Sequence, residues 1–250
     1  MSLVIAIKDK DRIILGADKQ GSLGNRKDHT ATKVWEVKGF DSCAMGGVGY
    51  ARANQIMQYI GGLLDKNMFD ENEGIDEEFV VSLLAPTIQA TLENYGVSMD
   101  GHDPEAQVTI KAMPNTFIFA YKDRAFVIDR DLTVSEVTDY AAIGSGAEIA
   151  RGSLYSSKDK NPFQRITEAI EAAALETMFV DDAVEVVVTK EYPEDEKLYN
   201  DAVGLTSLLE ALMESEKSDT EIIKDEDKDN RPKRKRKKKE ESVENTTEKK

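Results

Sequence analysis

The chain is poor in the residues that staple, ligate or cross. It has one cysteine, two histidines, six prolines and one tryptophan in 250 residues. A lone Cys43 excludes an intramolecular disulfide and fits a reducing compartment, so a cytoplasmic location is expected. Cys43 lies in an apolar, strand-like run, which favours a buried structural thiol over a reactive one. His29 and His102 are far apart in polar stretches with no ligand-type spacing, so neither a zinc site nor any cofactor is expected. No apolar run is long enough to span a bilayer, and no membrane partner is expected. A glycine-rich phosphate loop ending in Lys-Ser/Thr is also missing, so any use of ATP has to come from another subunit.

Charge of one sign dominates. The formal net charge is −15, which argues against simple electrostatic binding of nucleic acid by the folded part. The charge is uneven. Residues 191–230 hold 14 acids against 4 bases, and residues 231–250 hold 10 bases against 4 acids. Beyond Glu214 large apolar residues almost vanish, so residues 215–250 are expected to be disordered. The basic block 231–239 is the one segment suited to nucleic acid, acidic surfaces or import receptors; it could equally pair with the acidic run before it or stay solvated.

The most informative stretch is the first. Leu3-Val4-Ile5-Ala6-Ile7 and Ile13-Ile14-Leu15 flank a charged break at Lys8 to Arg12, which predicts a β-hairpin that begins at residue 2 or 3. No leader or arm is expected before it. Removal of Met1 before the small Ser2 would leave a hydroxyl nucleophile and a free α-amine on one residue. That amine has a reference pKa of about 8 and can accept the hydroxyl proton. A neighbouring lysine would lower its pKa further, and a carboxylate would keep that lysine charged. Asp18 and Lys33 are candidates for these roles; on spacing alone, an Asp and a Lys on a wet surface fit as well.

Farther along, Gln20 to Thr32 reads as a polar loop, and Val34–Val37 and Ser42–Met45 as short strands. Gly46, Gly47 and Gly49 end the second of these. Glycine there permits close backbone approach, useful where an amide N–H must meet a developing oxyanion, or simply a strand-to-helix turn. Helical spacing follows over residues 50–64 and 78–95, then a polar loop from Gly96 to Glu105. Strands are expected at 107–113, 116–121, 125–128, 134–138 and 140–143. Helices are expected from about Ala147 and over 164–177, and a buried strand over Val184–Val188. Ser145 precedes a helix and reads either as a site residue or as an N-cap. Periodicity alone supports an α+β fold.

Three segments carry a resemblance. Gly16-Ala17-Asp18-Lys19-Gln20-Gly21-Ser22-Leu23-Gly24-Asn25 with Lys33-Val34, then Met45-Gly46-Gly47-Val48-Gly49, then Ala141-Ala142-Ile143-Gly144-Ser145-Gly146 occur in this order. Together with the start at Ser2 they resemble the HslV-type peptidases, relatives of proteasome β-subunits, over roughly residues 2 to 190. The resemblance implies an α+β fold, specifically the four-layer αββα sandwich of N-terminal nucleophile hydrolases, over 1–190. An extension with a possible short helix at Ala202–Met213 would occupy 191–214. It implies Ser2 as nucleophile, with Asp18, Lys33 and Ser145 as catalytic partners and a Gly46 or Gly47 amide as oxyanion hole. Gln20, Gly21 and Ser22 would line the substrate. It further implies a homo-oligomer of stacked rings, a partner ATPase and an unfolded polypeptide substrate. Serine stands where the family has threonine, Leu3 replaces a small residue, and Thr177 and Val180 stand near the family's supporting Asp and Ser, with Asp181 and Asp182 slightly later. Those departures keep two rivals open: a catalytically silent scaffold, and an amidase on the same fold.

Overall fold

The computed structural model describes residues 2–23, 26–60, 74–103 and 108–204. The chain divides into two compact units, Met1–Val203 and Gly204–Lys250. The basic block and the expected tail fall outside the described residues.

The opening hairpin forms as expected. β1 (Leu3–Asp9) pairs antiparallel with β2 (Arg12–Asp18), with Lys10 at φ 55° in the turn. The five charged residues Lys8–Arg12 offer no apolar position to continue the run, and the chain reverses at Lys10-Asp11. Two short strands follow, β3 (Gly21–Leu23) and β4 (Arg26–Asp28), paired with each other. The region expected as loop thus holds a small hairpin; its mostly polar sequence leaves no apolar periodicity to read. Next come β5 (Val34–Glu36) and β6 (Cys43–Val48), then helix α1 (Ala51–Tyr59). Helix α2 is assembled from Glu77–Phe79, a π-turn at Val80–Leu84 and Ala85–Asn94; Asp76 caps it by accepting the Phe79 N–H. β7 (Met99–Asp103) and β8 (Val108–Ala112) form a second hairpin; β8 falls in the strand expected at 107–113, whereas β7 lies where the Gly96–Glu105 loop was expected.

The chain then runs through β9 (Thr116–Tyr121), β10 (Arg124–Ile128), β11 (Val134–Glu136) and β12 (Tyr140–Gly144). Helices α3 (Ala147–Ser156) and α4 (Pro162–Glu176) follow, then β13 (Val184–Val188). Pro162 sits in the first turn of α4, and Asn161 caps it by accepting the Gln164 N–H. A further helical stretch, α5, covers residues 195–204 and so starts ahead of the expected Ala202; the rest of that segment lies outside the described residues.

Two sheets stack. One has the order β12-β1-β2-β13 and the other β11-β10-β9-β6-β5. Alternation along β1 explains its unbroken apolar run. Leu3, Ile5 and Ile7 pack with Ile166, Ile170 and Leu154 of the α3–α4 layer. Val4 and Ala6 pack instead with Val34, Ala44 and Ile118 of the second sheet. On that sheet Phe117, Phe119 and Met45 face the other way, onto Ile56, Leu84 and Ile88 of α1 and α2. Both faces of each central strand are covered, so their middles are apolar and charge is confined to their ends, as at Arg12 and Asp18 of β2. The result is a four-layer αββα sandwich. Cys43 lies in its outer core, 3% exposed, where burial raises the thiol pKa far above the usual range.

β13 departs from its expected burial. All five residues are only half-buried, because the strand lies at the edge of its sheet. A valine run marks a strand but not its place in the sheet.

Candidate active site

The end of β2, the start of β1 and the end of β12 meet at one corner of the first sheet. Ser2 sits there, 8% exposed, one residue before β1. Its backbone is held from one side by β12 and the turn after it. The Ser145 N–H donates to the Ser2 carbonyl at 2.9 Å, and the Ser2 N–H donates to Ser145 Oγ at 3.2 Å. Ser145 therefore uses its hydroxyl on Ser2. The following helix has Gly146 at its N-cap position without a side-chain cap. Close approach requires glycine just before it. Gly144 has φ +105°, and a Cβ there would lie 2.0 Å from the Ser2 carbonyl oxygen.

Asp18, the last residue of β2, is fully buried. Its carboxylate gathers four donors. Oδ1 accepts the Leu3 N–H at 2.7 Å and pairs with Lys33 Nζ at 2.7 Å. Oδ2 accepts the Gln20 N–H at 3.1 Å and the Asp181 N–H at 3.2 Å. A buried carboxylate is tolerable only when paired and fully hydrogen-bonded, and this one is. Lys33, itself 3% exposed, also donates from Nζ to the Asp18 carbonyl at 2.8 Å. Burial lowers the Lys33 pKa from its ordinary value, against the opposing pull of Asp18 and, more weakly, of Asp181 and Glu185.

Lys33 is placed by β5, which starts at the next residue. The Gly47 N–H donates to the Lys33 carbonyl at 2.9 Å, and Val34 pairs with Gly46. The two glycines lie inside β6 rather than at its end. Packing accounts for them. A Cβ at Gly46 would lie 2.7 Å from Val4 Cγ1, and one at Gly47 would lie 2.4 Å from Asn54 Oδ1 and 2.8 Å from the Phe117 ring.

The structure thus forms two hydrogen-bonded pairs, Ser2–Ser145 and Asp18–Lys33, linked through Leu3, which follows Ser2 and donates its amide to Asp18; Gly47 is one bond away through Lys33. Gln20 has a scaffolding position: its N–H serves Asp18 and its side-chain Nε2 donates to the Met178 carbonyl at 3.0 Å. Gly21 opens β3, with Ala31 packed against it. Ser22 lies in β3, and its side chain is outside the described residues.

Sequence reasoning gave Asp181 only a vague place near the site. It enters through its backbone amide, which every residue type carries and no motif reports. Its side chain meets His29, on the loop that leads to Lys33. Burial pushes the Asp181 carboxyl up, but hydrogen bonds from Asp182 and His29 outweigh it and hold the group below its usual value. Among the described residues no group of three or more His, Cys, Asp or Glu is placed to hold a metal ion.

This architecture, with a residue-2 side chain at the sheet corner, is that of the N-terminal nucleophile hydrolases. The family model for proteasome subunits matches residues 2–188, and the chain belongs to that family. No curated protein matches the sequence. Solved structures with a similar fold include Thiobacillus denitrificans BPH in complex with epoxomicin, at TM-score 0.56 and 18% identity, covering 76% of this chain and 100% of that one. Eukaryotic HslV from Trypanosoma brucei aligns at TM-score 0.53 and 19% identity, covering 74% and 98%. A Gly-1 mutant of Anbu from Hyphomicrobium sp. strain MC1 aligns at TM-score 0.53 and 12% identity, covering 86% and 97%. No helix among the described residues is long and apolar enough to cross a membrane.

Proposed function

We propose that this proteasome-family chain is a peptidase subunit whose nucleophile is Ser2, freed by removal of Met1. One observation carries the reading. The Asp18 carboxylate holds both the Leu3 amide, next to the nucleophile, and the Lys33 ammonium, while Ser145 Oγ holds the Ser2 nitrogen. That nitrogen becomes the α-amine once Met1 leaves. A charged Lys33, held at the same corner by the Asp18 carboxylate, favours the neutral amine, which can act as general base.

Ser2 Oγ then attacks the peptide carbonyl carbon, and its proton passes to the α-amine. The carbonyl π electrons move to oxygen, giving a tetrahedral oxyanion. The C–N bond breaks, the amine returns the proton to the departing nitrogen, and an ester on Ser2 remains. Water repeats the sequence and frees Ser2. The oxyanion donor is the Gly47 amide, with Gly46 beside it. Because that N–H already serves the Lys33 carbonyl, it has to be shared or released when substrate arrives. Gln20, Gly21 and Ser22 border the entry, and the substrate is unfolded polypeptide. The assembly is a homo-oligomer of stacked rings fed by a separate ATPase in the cytoplasm, since the chain carries no phosphate loop.

The committed Gly47 amide favours a second reading, a catalytically silent proteasome-like scaffold. Intact-mass analysis after incubation with a β-lactone, or with the epoxomicin that the Thiobacillus protein binds, separates the two. Loss of Met1 and one adduct on Ser2 is expected. A retained Met1, or a free Ser2 that takes no adduct, overturns the peptidase reading. Hydrolysis of small amides without peptide cleavage would instead indicate an amidase. Ser2→Ala should abolish turnover and leave the unfolding midpoint unchanged.

A further inference from the structure

Among the described residues the opposite edge of the first sheet, β13, pairs with no further strand. The Ala183 carbonyl accepts the N–H of Lys19, just past β2, and the Thr189 N–H donates to the Ile13 carbonyl of β2, so the odd positions of β13 face β2. The even positions, Val184, Val186 and Val188, therefore turn their N–H and C=O groups away from the sheet. Tyr199 Oη donates to the Val184 carbonyl at 3.0 Å. Among the described residues the outward groups of Val186 and Val188 have no partner. Native proteins rarely leave such an edge bare without charge, proline or a cover.

A groove of about 770 Å³ runs along this edge, between β13 and the segment 191–199. Its two walls differ chemically. On the helix side, Val186, Phe163 and Tyr199 are apolar. On the inter-sheet side, Glu185 and Glu36 project from β13 and β5, the edge strands of the two sheets. Glu191 and Glu196 add charge, against Lys19 alone among the described residues. Asp195 is already bound to Arg12 at 2.5 Å, but among the described residues Glu36, Glu185, Glu191 and Glu196 make no ion pair. Glu185 Oε2 is buried and has no hydrogen-bond partner.

We propose that this edge is a docking site for an extended polypeptide segment that alternates basic and apolar side chains, added as a further strand beside β13. Strand addition bonds the outward groups of Val186 and Val188. Because side chains alternate across a strand, the basic ones meet Glu36 and Glu185 while the apolar ones meet Val186, Phe163 and Tyr199. Charge argues against a second copy as the occupant. Two copies paired through β13 would set Glu36 and Glu185 of each against the other.

The test uses the full chain and a labelled ten-residue peptide of alternating Lys and Val, read by fluorescence anisotropy. Val186→Pro removes one outward N–H while sparing the β2 ladder. Binding is expected to weaken at least tenfold with Val186→Pro, with the same peptide N-methylated at alternate residues, and with Glu36→Lys/Glu196→Lys. A Glu-Val peptide should not bind. The N-methylated peptide keeps the test decisive if Val186→Pro does not fold. Undiminished binding of the N-methylated peptide, or by the Glu36→Lys/Glu196→Lys variant, overturns the proposal. So does a self-associated protein that dissociates on Val186→Pro, because the occupant is then a second copy.

Discussion

Two Asp–Lys pairs stand at the two ends of β2, and they live in different solvents. Asp11 and Lys190 meet at the hairpin turn, with side chains 55% and 49% exposed. Asp18 and Lys33 meet at the far end, 0% and 4% exposed. At the turn, hydrogen bonds from Lys190 and then Tyr192 bring the Asp11 carboxyl down to about 2. Water and salt solvate that pair whether or not it forms. At the far end neither ion can turn to water. The sequence therefore has to supply three backbone donors besides the lysine, and it does so from Leu3, Gln20 and Asp181. The lesson is that an ion pair becomes a site when burial makes each partner answerable for the other.

Breaking the buried pair should have the largest effect. Lys33→Met leaves a buried carboxylate without its counter-ion and should cost about 3–5 kcal/mol, read by urea unfolding, with loss of β-lactone labelling at Ser2. A stable Lys33→Met variant would mean that the amide donors alone satisfy Asp18. Next is Gly144→Ala, which meets both the φ of +105° and the Ser2 carbonyl. It should cost more than about 1 kcal/mol and displace Ser2, seen as slowed labelling. Ser145→Ala removes one hydrogen bond from the Ser2 nitrogen and should cost about 1 kcal/mol in stability while lowering the labelling rate.

A pH experiment sharpens the same contrast at half-burial. Burial raises the Glu185 carboxyl above its ordinary value, with Lys19 and the Lys33 backbone opposing. A raised folded-state pKa favours folding below the unfolded value of 4.5 and loses that contribution as pH climbs through the folded one. Glu185→Gln should therefore raise the melting midpoint at pH 7 and leave it unchanged at pH 4. The smallest effect belongs to the exposed pair. Asp11→Asn should leave the midpoint and Ser2 labelling as they are; a clear loss would show that the turn is held by its ions.

Legibility followed the same divide between local and distant causes. The β1–β2 hairpin, the helices and β9 were readable, because apolar period and charged breaks act within a few residues. The β3–β4 hairpin and β7 were not, since strands such as Arg26–Asp28 and Met99–Asp103 show no apolar alternation; β8 was, through Val108 and Ile110. Ser2, Asp18, Lys33 and Ser145 were picked out through residue type and family pattern. The Asp181 amide was not, because a backbone N–H leaves no mark in a sequence.

By itself the sequence determined the periodic elements, the family and the side-chain types at the corner, because period, turn chemistry and side-chain type are properties of neighbouring residues. Only the tertiary structure decided that Asp18 lies in a dry corner and Asp11 in water, that the glycines of β6 yield space to Val4, Asn54 and Phe117, and that β13 is an edge. Each of these depends on which distant segment arrives alongside. That is settled by packing two sheets and two helix layers together, and no local pattern carries it.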